Sequence, residues 1–274
     1  MKKIQKLRKV QKLWQMSGSC QEGLPEWSSR AGEGEGPEAG RKRAGRFTDA
    51  TASKDNDGDT PFHNASKGGY VDLVEILVEV GVDLNVRNAD EETPLDQSSF
   101  LGNLEVTRFL IEHGADLNYR NKLGCTLLHS AAQNGHLDVV RLLLDHGLGV
   151  QARNGNHETP LILASFGGHV EVSQVLIEHQ ADVSSIDNDG WTSLHSASHK
   201  GHADVVQLLL DHEADVNVQK VDLWAPLHLA SANGHLKVVE LLIKGGAKVD
   251  MGDEDGKTHW TWHQVMGISR LRAC

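Results

Sequence analysis

The chain is poor in three things. It has three cysteines in 274 residues, its aromatic side chains make up only 5%, and no apolar run reaches membrane-spanning length. Cys20, Cys125 and Cys274 are odd in number and far apart. They frame neither a disulfide scaffold nor a metal knuckle, and they fit a reducing compartment. Without about 18 consecutive apolar residues, no helix spans a bilayer. The N-terminus is basic but lacks the continuous apolar stretch of a secretory signal. With so few aromatics, small aliphatics must fill the core. The 39% hydrophobic and 24% charged content is otherwise that of an ordinary globular chain.

Charge is unevenly distributed. Residues 1–54 hold 12 lysines and arginines against 6 carboxylates, whereas residues 55–253 hold 12 against 30. An acidic body repels phosphates, which argues against nucleic acid binding by that region.

A period of about 33 residues runs through the acidic region. Thr60-Pro61, Thr93-Pro94 and Thr159-Pro160 lie at multiples of it, with Thr126-Leu127, Thr192-Ser193 and Ala225-Pro226 in phase. Six units follow, at 55–87, 88–120, 121–153, 154–186, 187–219 and 220–252. In each, the Thr-Pro step suits a helix start, because Thr caps and Pro fits the first turn. A short apolar helix ends at a glycine: Gly69, Gly102, Gly135, Gly168, Gly201 or Gly234. A second helix carries the larger aliphatics, such as Val139, Val140, Leu142, Leu143 and Leu144. Another glycine closes it at Gly81, Gly114, Gly147 and Gly246, and a polar turn such as Asp116-Leu117-Asn118 leads on.

On these residues the chain resembles the ankyrin-repeat family, most clearly in GCTLLHSAAQNGHLDVVRLLLDHG at 124–147 and DGWTSLHSASHKGHADVVQLLLDHEADVN at 189–217. The resemblance implies an all-α solenoid of stacked helix–turn–helix units with hairpin-like loops projecting to one side. One unit cannot bury its apolar face alone, but neighbours can. Departures from the pattern predict local irregularity. Gln180 and Glu213 replace the closing glycine, Leu223 stands where Gly58, Gly124 and Gly190 stand, and Asp96 and Ile162 replace the histidine of Thr-Pro-Leu-His. The fourth and sixth units are therefore expected to be irregular.

The flanks differ from the body. Residues 1–54 read as a basic, mostly disordered arm, rich in Gly, Ser, Glu and Arg. Ile4, Leu7, Val10, Leu13 and Trp14 among six lysines and arginines give residues 1–16 an amphipathic helical spacing. That helix has three readings: a membrane-surface binder, a targeting segment, or the favoured one, a solvated tail. Arg41-Lys42-Arg43 is a weak nuclear-localisation candidate in a chain otherwise read as cytoplasmic. Residues 254–274 read as a truncated degenerate repeat or a C-terminal tail, in which Trp260 could cover the sixth unit. A truncated or alternatively spliced product, or a piece of a larger multi-domain protein, stays open.

Chemistry is scarce. Of 16 histidines, 12 recur at three repeat positions, with His63, His129, His195 and His228 at one of them. Equivalent residues of adjacent units lie about 10 Å apart, too far to share a metal ion. His259 and His263 have a zinc-compatible spacing without a convincing third ligand. There is no nucleophile elbow and no phosphate-binding glycine loop. The loops around Asp55 and Asp187 lack the spaced carboxylates of calcium sites and read as Asx turns. No enzyme activity, metal or cofactor is expected.

The family resemblance implies that the residue before each unit's Thr, and the two before the helix-ending glycine, face a binding groove. Phe100, Leu101, Phe166, Trp191 and Trp224 are large and apolar at such positions, and His199 and Lys200 accompany them. Aromatic anchors of this kind typify interfaces. Arg87, Arg120, Arg153 and Lys220 at the loop tips would flank the strip, where they either orient an acidic partner or balance the acidic body. The expected function is a monomeric scaffold or adaptor that binds a partner protein. A regulatory or inhibitory subunit that localises an enzyme or transcription factor is the alternative.

Overall fold

The computed structural model describes residues 53–253 and 255–258. The helix at 1–16, the Arg41-Lys42-Arg43 cluster and the His259/His263 pair lie outside the described residues.

Among the described residues there are twelve helices and no strands. They come in pairs: α1 (Pro61–Lys67) with α2 (Val71–Val80), α3 (Pro94–Phe100) with α4 (Leu104–Glu112), and α5 (Leu127–Gln133) with α6 (Leu137–Asp145). The series continues with α7 (Pro160–Gly167) and α8 (Val170–Glu178), α9 (Ser193–Lys200) and α10 (Ala203–Asp211), and α11 (Pro226–Ala232) and α12 (Leu236–Lys244). The chain divides into two compact units. One runs up to Ser98 and includes Glu105–Ala115; the other holds Ser99–Leu104 and continues from Asp116.

In the first unit Phe62, Leu73, Val74, Leu77, Leu95, Val106 and Leu110 form the core. The hydroxyls of Ser98 and Thr107 share a 3.0 Å hydrogen bond between α3 and α4. In the second unit α7 packs between α5 and α9, and α9 between α7 and α11. The second helices follow in the same order, α6, α8, α10 and α12. Leu128, Leu161, Leu194 and Leu227 are at most 2% exposed, and Ala131, Ala164, Ala197 and Ala230 are fully buried. The alanines let first helices approach closely. Each buried leucine contributes about 1.5–3 kcal/mol.

Three of the first helices, α1, α5 and α9, share one capping device. The backbone N–H of Thr60 donates to His63 Nδ1 at 3.1 Å, and His63 Nε2 donates to the Glu92 carbonyl at 3.0 Å. The same pair of bonds joins Thr126, His129 and Glu158, and Thr192, His195 and Trp224. Because an N–H can only donate, Nδ1 is the acceptor and the ring is the neutral Nε2–H tautomer. Burial pushes His129 and His195 down to about 4. Each ring therefore caps its own helix and holds the next repeat's loop.

The loops are Asx turns. The side chains of Asp55, Asn88, Asn121, Asn154, Asp187 and Asp253 each accept the N–H groups two and four residues on.

The expected irregularity of the fourth and sixth units is overturned. Thr159 still caps α7 by accepting from the Ile162 N–H. In the sixth loop Lys220 stands where the other loops have Asx. Its backbone bonds, Lys220 N–H to Trp224 carbonyl and Leu223 N–H to Lys220 carbonyl, match those of Asp187, Trp191 and Gly190. The fold imposes the conformation instead. Gln180, Glu213 and Leu223 are held at φ 69°, 62° and 63°, as are Glu91 and His157 at 61° and 62°. Each non-glycine residue in this region costs about 1 kcal/mol relative to glycine.

Candidate functional site

The anchor positions are held rigidly by a second histidine ladder. His136, His169, His202 and His235 each donate from Nε2 to a carbonyl of the preceding repeat, at Phe100, Gln133, Phe166 and His199, over 2.8–3.1 Å. Those four acceptors are the residues two before the helix-ending glycine. Each imidazole fills the space beside that glycine: a Cβ on Gly168 would lie 2.5 Å from His202 Nδ1. The glycine is thus required twice, for its left-handed φ of 77° and for the ring beside it. Side chains at the anchor positions project from a backbone already fixed, which lowers the ordering cost of binding.

Phe166, at the end of α7, is 45% exposed, and Lys200 Nζ lies over its ring, 4.4 Å from the centroid. Trp191 is half-buried, with its ring edge-on to His199 at 5.4 Å. His199 Nδ1 accepts from the Asn233 side chain at 3.2 Å. Burial, with the charges of Lys200 and His235, holds its pKa below the ordinary histidine value. Lys220 Nζ lies 5.4 Å from the Trp191 ring and pairs with Asp222. Phe166, Trp191, His199 and Lys200 thus form one aromatic and cationic patch, and Lys220 stands beside it over the Trp191 ring. Trp224 is half-buried, its ring 6.1 Å from His228.

The strip is interrupted. Phe100 and Leu101 are 44% and 43% exposed, but the exposed Gln133 occupies the equivalent position in the next unit, before Phe166. Two residues expected to face the groove are buried: Asp59 and Cys125, at 3% and 9% exposure. The next loop folds over each. Asn88 donates to Asp59 Oδ1 at 2.8 Å, and Asn154 donates to Cys125 Sγ at 3.6 Å. Burial raises the Asp59 pKa, but bonds from Asn88 and Lys67 outweigh it and the net shift is downward. Lys220 stands to Trp191 as Asn154 stands to Cys125, at the start of the following loop. Its amine covers the indole where an Asx side chain covers smaller groups.

The loop-tip arginines also make bonds to loop backbone. Arg120 Nη1 donates to the carbonyls of Gly124 and Arg153 at 2.7 and 2.8 Å, and Arg153 Nη1 donates to Ile186 at 3.1 Å. Gln219 reaches Leu223 and Gly252 in the same way. These side chains tie loops together while staying exposed. Arg87, in the first unit, stays half-exposed beside Glu91 at 3.4 Å.

Among the described residues no group of three or more His, Cys, Asp or Glu is placed to hold a metal ion. No described helix is long and apolar enough to cross a membrane. Paired helices, tied to their neighbours through loop backbone and offering a fixed row of side chains, define a helical repeat protein built for macromolecular contact. The family model for ankyrin repeats matches three times, over residues 42–121, 115–187 and 181–255, and the chain belongs to the ankyrin-repeat family. It is similar to the crystal structure of the ankyrin repeat domain of Bcl-3, described as a unique member of the IkappaB protein family. The identity is 30% and the TM-score 0.63, over 76% of this chain and 95% of that one. No curated protein sequence matches the chain. The ankyrin repeats make this a protein-interaction domain.

Proposed function

We propose that the chain is a scaffold or adaptor that binds a partner protein through the patch formed by Phe166, Trp191, His199 and Lys200. The observation that carries this reading is the exposed Phe166 ring beneath the Lys200 amine, on a backbone fixed by His202. A partner segment with an apolar side chain for Phe166 and a carboxylate for Lys200 fits that chemistry. The acidic repeat body disfavours nucleic acid as the partner. The chain acts as a cytoplasmic monomer, with residues 1–54 as an arm, 55–253 as the repeat body and 254–274 as a degenerate repeat.

Similarity to a member of the IkappaB protein family favours a second reading, in which the array regulates or localises its partner. Deleting residues 1–50 separates the two: a changed cellular distribution supports a tethering arm. The main reading is tested with a Phe166→Ala/Lys200→Glu double variant. Partners captured by the wild type should be lost while circular dichroism stays native. Retention of every partner overturns the patch assignment.

A further inference from the structure

Lys54, Arg87, Arg120, Arg153, Ile186 and Gln219 stand one repeat apart, one before each loop, and Ile186 alone among them has no side-chain donor. Lys54, Arg120, Arg153 and Gln219 each donate to the carbonyl of the residue 33 further on, at Arg87, Arg153, Ile186 and Gly252. Arg120 and Gln219 also donate to a carbonyl of the loop they precede, at Gly124 and Leu223, both at 2.7 Å. The carbonyls that a donor at 186 would bridge are those of Gly190 and Gln219. Among the described residues neither accepts a hydrogen bond. Isoleucine ends at Cδ1, short of where an arginine carries its guanidinium.

The same stretch is apolar at the surface. Ile186, Val221 and Leu223 are 46%, 72% and 44% exposed. Other repeats have Asn56, Ala89, Lys122, Gly155 and Asn188 in phase with Val221, and glycine, Glu91 or His157 in phase with Leu223. Leu223 is held at φ 63°, where glycine is cheaper, and its side chain gains little burial in return. An exposed leucine on a strained backbone points to a use outside the fold. The fifth and sixth loops lie together, with the Val221 N–H donating to the Asp189 carbonyl at 3.1 Å. Asp189 is exposed, and its carboxylate bonds no described residue. Lys220, the one cation of these two loops, is paired with Asp222. Apolar side chains, carbonyls without donors and uncompensated negative charge together fit a cation with apolar neighbours.

We propose that the tips of the fifth and sixth loops form a second interaction surface, for a partner-protein segment with an arginine between aliphatic residues. Its guanidinium bridges the Gly190 and Gln219 carbonyls, as Arg120 bridges those of Gly124 and Arg153, and faces Asp189. Arginine suits this place better than lysine, because its planar fork offers parallel donors and stays charged. The flanking aliphatic side chains cover Val221 and Leu223. The surface is independent of Phe166 and Lys200.

The probe is a blocked Leu-Arg-Leu-Arg-Leu peptide, titrated into the isotope-labelled full chain and followed by NMR. Amide signals of 186–190 and 219–223 should move, and those of 127–145 should not. Ile186→Arg supplies the guanidinium from within the chain, so it should weaken binding at least about tenfold without lowering the thermal midpoint. Asp189→Asn should weaken it about twofold or more. Phe166→Ala/Lys200→Glu should leave it unchanged, which separates this surface from the patch. Equal affinity in the wild type and Ile186→Arg overturns the proposal. So does the absence of these shifts at about 1 mM peptide, or equal affinity for the same peptide with glutamate in place of arginine. A dimer by light scattering that Ile186→Arg dissolves also overturns it, and assigns the surface to a second copy.

Discussion

The fifth and sixth loops have the same backbone and different chemistry. The fifth is built from Asp187, Gly190 and Thr192, each suited locally to its place. The sixth has Lys220, Leu223 and Ala225 instead, and loses the Asx acceptor, the glycine and the capping hydroxyl. It still closes with the same two loop backbone bonds. Asp222 accepts the Trp224 N–H at 3.3 Å, and His228 Nδ1 accepts the Ala225 N–H at 3.0 Å. The preceding repeat also holds this loop, through the Val221 N–H to the Asp189 carbonyl and His195 Nε2 to the Trp224 carbonyl, so its geometry does not depend on local sequence alone.

The comparison can be broken first at the capping histidines. His195→Ala leaves the Thr192 N–H and the Trp224 carbonyl without their ring and opens a cavity, and is expected to cost about 3 kcal/mol or more in urea unfolding. His228→Ala, in the repeat that already lacks the hydroxyl, should cost less. Equal losses would mean that the hydroxyl adds nothing.

Acid should act through the same rings. His129 and His195 stay neutral in the fold until about pH 4, whereas unfolded histidine takes its proton near 6.5. Their stabilising effect is complete above pH 6.5 and falls as pH drops towards about 4, by up to about 3 kcal/mol each. Urea midpoints measured across that window should decline, and decline less steeply in His195→Ala. A parallel decline in both proteins would clear His195 of any part in it.

The loop tips give a smaller effect of opposite signs. Leu223→Gly should stabilise by about 1 kcal/mol. Gly190→Leu should cost more than that, because a Cβ there lies 3.0 Å from Lys220 Cα and 3.1 Å from the Val221 nitrogen. Thermal melts of the two variants should shift in opposite directions. The smallest effect belongs to Lys220. Its coupling to Trp191 should be about 0.5–1 kcal/mol in a double-mutant cycle with Trp191→Ala. Zero coupling would reduce Lys220 to a partner of Asp222.

The fold was legible because a repeat writes its signal many times. The Thr-Pro steps and three glycine columns set the register, and the helices fall where that register puts them. The failures share one cause. Asp59 and Cys125 are buried by the loop of the following repeat, and the carbonyls that Arg120 and Arg153 bond lie one whole repeat further on. Identity at one position does not reveal such partners. Glu91 and His157 were different: they stand in the column of Gly58, Gly124 and Gly190, so their left-handed backbone was readable from phase. Of the candidate site, Phe166, Lys200 and His199 came together. The half-burial of Trp191 and Trp224 depended on Lys220 and His228, which only packing could supply.

The two histidine ladders constrain how this gene can change length. The rings of His63, His129 and His195 each reach a carbonyl in the loop of the following repeat, always at the same separation along the chain. Those of His136, His169, His202 and His235 reach back into the preceding repeat, again at one fixed separation. Each of these bonds counts residues across a repeat boundary, whereas His228 reaches the Met251 carbonyl within its own unit. Removing one residue between a ring and its carbonyl shifts that count and unfastens the bond. Removing or duplicating one whole repeat leaves every count intact. Such a protein can gain or lose entire units in a single genetic event while tolerating almost no drift in the size of any one of them.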